Sequence, residues 1–342
     1  MMKKSLLYVL TFILLFIAGC SSSGTAGQDS ITIAWLPNES GTDLTDTRDE
    51  IGRMIEEKTG AEVTHQTTTD YIVAIEAIAN GNADMAYLGA QGYIEAKNKN
   101  DQVLPLVVPS GESGTLDDAI YYSWLAVEIE NADEYKNGDE FAIDNIQGKR
   151  FSFVSNSSTS GFRVPSTGIV DYFSEQPGFE DVTADDLLEG GDNHFFSDVL
   201  YGGSHQGSAV NLLSGNVDVA AFCDTCVNNY VELIEGEENR PGAIYKVRED
   251  AAEPFNTVTG KEFILISVTP VLNAPFVING DNINEEMQAE LLEVMTSDEV
   301  ANNEKIFVPE DSDFSGLFSK TADERLVDVE DAWFNPIREL SN

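Results

Sequence analysis

The sequence predicts an α/β protein built as two similar lobes, and three observations predict it. Strand-like and helix-like segments alternate along the chain. A helix–glycine–strand unit occurs once in each half. With 342 residues, 42% of them apolar, the chain can fill two cores.

Taken in order, the apolar run at 31–36 reads as a strand and 43–58 as a helix. A second strand is expected over 61–67 and a second helix over 71–80. The repeated unit follows: Gly81-Asn82-Ala83-Asp84-Met85-Ala86-Tyr87 is echoed by Gly215-Asn216-Val217-Asp218-Val219-Ala220-Ala221. Each copy follows an apolar-periodic helix (71–80 and 208–214). The glycines suit a left-handed helix stop, and a buried strand of small residues comes next. Chance similarity between α/β units is the alternative to a true echo. The chain returns with strands at 263–268 and 274–278 and helices near 285–295 and 321–340. If these close the first lobe, it comprises 31–117 plus 266–342 and the second comprises 118–265. Two crossings then make a two-stranded hinge with a ligand cleft between the lobes.

The N-terminus carries an address. Met-Met-Lys-Lys, an apolar run at 6–18 and then Gly19-Cys20 form a basic, an apolar and a cleavage region, hence a signal peptide over 1–19. Ile17-Ala18-Gly19-Cys20 resembles a bacterial lipobox, which implies lipidation of Cys20 and anchoring at the extracytoplasmic face of the membrane. Residues 20–30 are small and polar, as in a flexible tether. Only Cys223 and Cys226 then remain. Either a small disulfide or two free buried thiols fits them, and a zinc site would need further ligands that are not evident nearby.

The formal net charge is −41, and losing Lys3 and Lys4 with the signal peptide makes it −43. Such a field repels nucleic acid and anionic membrane surfaces. It suits a surface hydrated in high salt or at alkaline pH. An anion receptor with this charge must rely on local dipoles.

Ligands of open α/β sheets collect beyond the carboxyl ends of strands. Four such loops here are rich in donors. At 151–165 an alternating strand runs into Ser157-Ser158-Thr159-Ser160-Gly161, where a helix should begin. Hydroxyls and free N–H groups at a helix N-terminus cradle an oxyanion, although an ordinary serine-rich cap would look the same. The others are Gly89-Ala90-Gln91-Gly92-Tyr93, Gly203-Ser204-His205-Gln206-Gly207 and Asp224-Thr225, with Tyr71 at a helix start.

Asp70-Tyr71, the Gly-x-x-Asp-x-Ala-Tyr-Leu-Gly stretch with Tyr93, Ser158-Thr159-Ser160-Gly161 with Pro165, and Gly203-Ser204-His205 occur in this order over roughly 31–300. Together they resemble the phosphate/phosphite/phosphonate-binding receptors of ABC transporters. The resemblance implies a type II periplasmic-binding-protein fold that closes on a phosphorus oxyanion, with a permease and an ATPase as partners. Ser158, Thr159 and Ser160 would donate to the oxyanion, Tyr93 and His205 would add side-chain donors, and Tyr71 would line the entrance. Gln206 stands where the family often has an acidic residue. Asp224 is then the candidate partner for a ligand ammonium group. Arg163, one turn into the binding helix, could add a charge-assisted contact. Donation from both nitrogens of His205 would require its protonated form, so affinity would rise as pH falls. No cofactor or resident metal is expected, and a monomer is.

Two rivals accompany this reading. Ser160, His205 and Asp224 could serve as nucleophile, base and orienter of a surface hydrolase, although the sequence holds no nucleophile elbow, zinc-protease or nucleotide-binding motif. A lipid-anchored adhesin with no small ligand is the other. Glu310-Asp311-Ser312-Asp313 could bind calcium weakly, but a solvated acidic loop explains it as well.

Overall fold

A computed structural model describes residues 28–340 except 139, 310, 311 and 313. The signal peptide, Cys20, most of the tether and most of the acidic cluster at 310–313 lie outside the described residues. Among these residues no helix is long and apolar enough to cross a membrane.

Two sheets organise the chain. The first has six strands in the order β17 (Leu326–Asp328), β4 (Val103–Pro109), β14 (Phe276–Asn279), β3 (Met85–Tyr87), β1 (Ser30–Trp35), β2 (Glu62–Thr67). The second has seven, in the order β11 (Val231–Glu235), β12 (Ile244–Val247), β13 (Glu262–Leu272), β5 (Ile120–Glu128), β10 (Val219–Cys223), β8 (Arg150–Phe153), β9 (Asp198–Tyr201). Short pairs form from β6 (Lys136–Asn137) with β7 (Glu140–Phe141) and from β15 (Phe307–Pro309) with β16 (Phe318–Lys320).

Parallel pairs β1–β2, β1–β3, β8–β9 and β8–β10 are linked through helices, as parallel strands require. The helices are α1 (Thr45–Thr59), α2 (Tyr71–Ala79), α3 (Ala90–Lys99), α4 (Val164–Ser174), α5 (His205–Leu213) and α6 (Glu285–Met295). They cover the sheets, so strands such as β3 and β10 are buried along their whole length. The echoed unit occupies equivalent places. Gly81 ends α2 before β3 in the first sheet, and Gly215 ends α5 before β10 in the second, with φ of 71° and 72°.

Two long antiparallel strands, β5 and β13, enter and leave the second sheet side by side. Their pairing runs from Phe263 opposite Glu128 to Leu272 opposite Ile120. The chain therefore leaves the second sheet after Leu272, a few residues later than the apolar run at 263–268 suggests.

One expected element is absent. Residues 321–340 form β17 and a short terminal helix, Asn335–Glu339, in place of a long helix. The Glu324 carboxylate takes the N–H groups of Thr321 and Ala322, forming a turn where a helix would have to begin. Leu326 to Asp328 then pair with the free edge of β4. The buried Leu326, Val329, Phe334 and Ile337 satisfied a helical spacing without being one helix.

Candidate functional site

The carboxyl ends of strands from both sheets converge on a cavity of about 70 Å³. At one probe sphere of roughly 10–15 Å³ per water, this is room for about five waters or one small ion.

The second lobe contributes most of the donors. After β8 the chain makes one wide helical turn, Thr159–Arg163, in which the Arg163 N–H donates to the Ser158 carbonyl at 3.0 Å before α4 begins. At this N-terminus the N–H groups of Thr159 and Ser160 have no acceptor within the turn. The Ser158 Oγ accepts from the Gly161 N–H at 3.1 Å, which leaves its own hydrogen free. Ser160 is 1% exposed, and its hydroxyl has no partner among the described residues. All three side chains line the cavity.

α5 supplies His205 and Gln206. Ser204 caps the helix by accepting from the Gly207 N–H, which aims the first turn at the cavity. The His205 Nδ1 accepts from the Cys223 N–H at 3.0 Å, so the neutral ring carries its proton on Nε2, 3.4 Å from the Ser158 Oγ. Burial pushes its pKa down to about 3. His205 therefore donates from one nitrogen only, and the expected rise in affinity from protonation of this ring is not supported by the structure. The Gln206 Nε2 donates to the carbonyls of Asn38 and Cys226, both at 3.1 Å. Cys226 is joined to Cys223 by a disulfide. His205, Cys223 and Cys226 have potential metal-ligating atoms within 4.8 Å of one another, but the sulfurs are bonded together and the Nδ1 lone pair already accepts the Cys223 N–H.

The first lobe closes the other side with Asn38, Glu39, Tyr71, Tyr87 and Gly89. Direct bonds join the lobes at its rim. The Gln91 N–H donates to the Thr159 Oγ1 at 2.9 Å, the His205 N–H to the Asn38 Oδ1 at 3.0 Å, and the Tyr230 hydroxyl to Asp43 at 2.7 Å. A Cβ on Gly89 would lie 2.8 Å from the Thr159 Oγ1, so the approach at that point needs glycine.

Residues 33–325 match the family model described as the periplasmic substrate-binding protein of phosphonate ABC transporters. The chain belongs to this family. A phosphate-import protein, PhnD, of Mycolicibacterium smegmatis is 26% identical over 228 residues, 66% of this chain. The chain spans just under two thirds (64%) of that relative's length. A crystal structure of a binding-protein component of an ABC phosphonate transporter from Pseudomonas aeruginosa aligns with a TM-score of 0.64 at 18% identity, over 92% of this chain and 86% of that one. PhnD1 from Prochlorococcus marinus in complex with methylphosphonate aligns with a TM-score of 0.61 at 17% identity, over 92% and 97%. The fold is thus the two-lobed type II periplasmic-binding-protein fold.

In this phosphonate-receptor frame, Tyr71, Ser158, Thr159, Ser160, His205 and Gln206 share the cavity lining, while Tyr93, Asp224 and Arg163 are not part of it. Tyr93 is fully buried against Phe334, and its hydroxyl donates to Asp331 at 2.5 Å. The Asp224 carboxylate accepts from the Tyr122 N–H at 2.9 Å, and burial pushes its pKa up to about 7. It braces the loop after β10 from outside the cavity lining. The buried Arg163 Nε lacks a partner, away from the cavity. Sequence reasoning missed Asn38, Glu39, Tyr121 and Tyr230. The first two follow β1 directly, so the strand-end rule applied to the other loops would have found them.

Proposed function

We propose that this chain is an extracytoplasmic substrate-binding lipoprotein of an ABC importer that captures a phosphorus oxyanion in the interlobe cleft by hinge closure. The observation that carries the reading is the donor set. Ser158, Thr159 and Ser160 at a helix N-terminus and the His205 Nε2–H, 3.4 Å from the Ser158 Oγ, border one small cavity whose lining, among the described residues, contains no Lys or Arg. Such an array replaces an oxyanion's water shell with fixed neutral dipoles. The relatives named above carry phosphate or hold methylphosphonate, so a phosphorus oxyanion is the shared chemistry, and phosphate, phosphite and a small alkylphosphonate are its members. Asp224 lies outside the cavity lining, where Glu39 is the carboxyl group among the described residues.

The lobes are proposed as 31–117 with 266–342, and 118–265. β5 and β13 carry the hinge, with Cys20 as the lipid anchor. The protein would act as a monomer that delivers ligand to a permease and an ATPase. A hydrolase built on Ser160, His205 and Asp224 is not supported. The His205 Nδ1 accepts a hydrogen bond from Cys223, so it has no proton to give Asp224, and the Asp224 carboxylate is engaged by Tyr122.

Calorimetric titration of the soluble form starting at Ser21, unfolded and refolded to strip ligand, tests the reading. Micromolar or tighter binding of phosphate, phosphite or methylphosphonate is expected. Silence with all three, and no thermal stabilisation at millimolar oxyanion, would leave the fold and remove the ligand assignment.

A further inference from the structure

Glu39 is a carboxyl group in a site built for an anion. It ends the short turn Pro37–Glu39 after β1, lines the cavity and is 8% exposed, and its Oε2 has no hydrogen-bond partner among the described residues. Arg48 lies beside it but does not pair with it. The guanidinium donates to the backbone carbonyls of Glu39 and Gly41 and to the Thr45 Oγ1. The other titratable groups that line the cavity are neutral, the phenols of Tyr71, Tyr87, Tyr121 and Tyr230 and the imidazole of His205, and the Asp43 carboxylate beside Arg48 accepts from the Tyr230 hydroxyl. A second acceptor shares the cavity. The Gln206 Oε1 is buried without a partner, and its amide cannot turn round because Nε2 is held by two carbonyls.

A fully deprotonated oxyanion offers only acceptors, so an ionised Glu39 would face it unpaired and repelled. Resting on the oxyanion reading above, we propose that Glu39 and the bound ligand hold one proton between them, so that Glu39 selects the protonation state in which the ligand is taken up. The proton lies in the hydrogen bond between the Glu39 carboxyl oxygen and a ligand oxygen. Neutral Glu39 donating to a dianion and ionised Glu39 accepting from a P–OH are the same complex. Burial supports the first description for the empty site, because it pushes the Glu39 carboxyl up to about 8.

The linkage has a definite sign. Below the second ionisation of the ligand, the separated partners carry two protons and one must leave on binding. Above about pH 8 they carry none and one must be taken up, so affinity falls about tenfold per pH unit. Titration with methylphosphonate at about pH 9, in two buffers of different ionisation enthalpy, is expected to show uptake of about one proton by the wild type. It should show none by Glu39→Gln, whose amide donates at every pH. The wild-type proton count decides the matter even if the variant does not fold. Binding without proton uptake overturns this inference and leaves the oxyanion reading standing. Preference for 2-aminoethylphosphonate with proton release near neutral pH also overturns it, by assigning Glu39 to the ammonium group. Absence of all binding removes the oxyanion reading, and this inference with it.

Discussion

Thr159→Val should weaken ligand binding without unfolding the protein, and the structure sets the scale. Thr159 is 2% exposed, and valine keeps its volume. The hydroxyl oxygen accepts the buried Gln91 N–H from the opposite lobe at 2.9 Å, so its hydrogen remains free for the cavity. Valine removes both functions. In the closed form the Gln91 N–H would be buried without an acceptor, at a cost of about 1–3 kcal/mol. If the lobes close on the ligand as proposed, water satisfies it in the open form, so the penalty falls on closure alone and raises Kd by roughly 5- to 150-fold. Loss of a donor to an anion moves the result toward the upper end. Thr159→Ser keeps the oxygen and the proton and should stay within about threefold of wild type, about 0.6 kcal/mol. Calorimetry on the three proteins gives the comparison, with the ligand-free melting temperature as a check on folding. A Thr159→Val protein with Kd within twofold of wild type would refute the closed-cleft role of this hydroxyl.

Three further outcomes are expected. The Glu39 pKa is raised in the folded state, so the stability tied to its neutral form is present below about pH 4.5 and lost as pH rises to about 8. Urea denaturation should therefore show ligand-free Glu39→Gln gaining of order 4 kcal/mol over wild type between those limits, and a constant difference would contradict it. Tyr93→Phe should leave affinity unchanged and lower stability by about 1 kcal/mol as Asp331 loses one donor and keeps Arg338. A large loss of affinity would return Tyr93 to the site. Reducing the Cys223–Cys226 disulfide opens a four-residue loop worth about 2 kcal/mol in the chain-entropy account. The same two residues hold His205 and Gln206 through a backbone N–H and a carbonyl, so reduction should also weaken binding about tenfold, against no change if that bracing is idle.

Much of this architecture was legible in local chemistry. The glycine helix stops at 81 and 215 and the buried strands after them are short-range features, so their spacing marked equivalent units in the two sheets. The helix at 285–295 has an Asn284 cap and a clean apolar stripe, and its observed ends coincide with the expected ones. What misled was tertiary. Residues 321–340 carry helical spacing, yet the edge of β4 claims 326–328, and nothing within that segment announces a distant partner. Tyr93 has the residue type and the loop position of a ligand donor. Its direction was set by Phe334 and Asp331, some 240 positions away in the chain, which no loop motif records. His205 lines the cavity, but its protonation depended on the Cys223 N–H, a contact made only after α5 and β10 pack. Glu39 escaped notice because an acid is not sought in an anion site.

The formal charge of −41 and the neutral cavity lining together imply a separation between how the ligand arrives and how it is held. The net field repels an incoming oxyanion over a Debye length, about 30 Å at 10 mM salt and about 3 Å at 1 M. Inside the cleft, on the proposed reading, hydroxyls, backbone N–H groups and the His205 Nε2–H would hold it at contact distance, where bulk ions do not screen. Added salt should thus raise the association rate, by roughly tenfold between about 10 mM and 0.5 M for repulsion of this sign. The dissociation rate should change by less than about twofold, because it reports short bonds made to neutral donors. Stopped-flow mixing that follows tryptophan emission would separate the two, since Trp35 and Trp124 stand in the two sheets. An association rate that falls with salt would mean that a local positive potential at the cleft mouth outweighs the net charge. Recognition would then depend on cations such as Arg48 and Arg163 more than the hydrogen-bond geometry indicates.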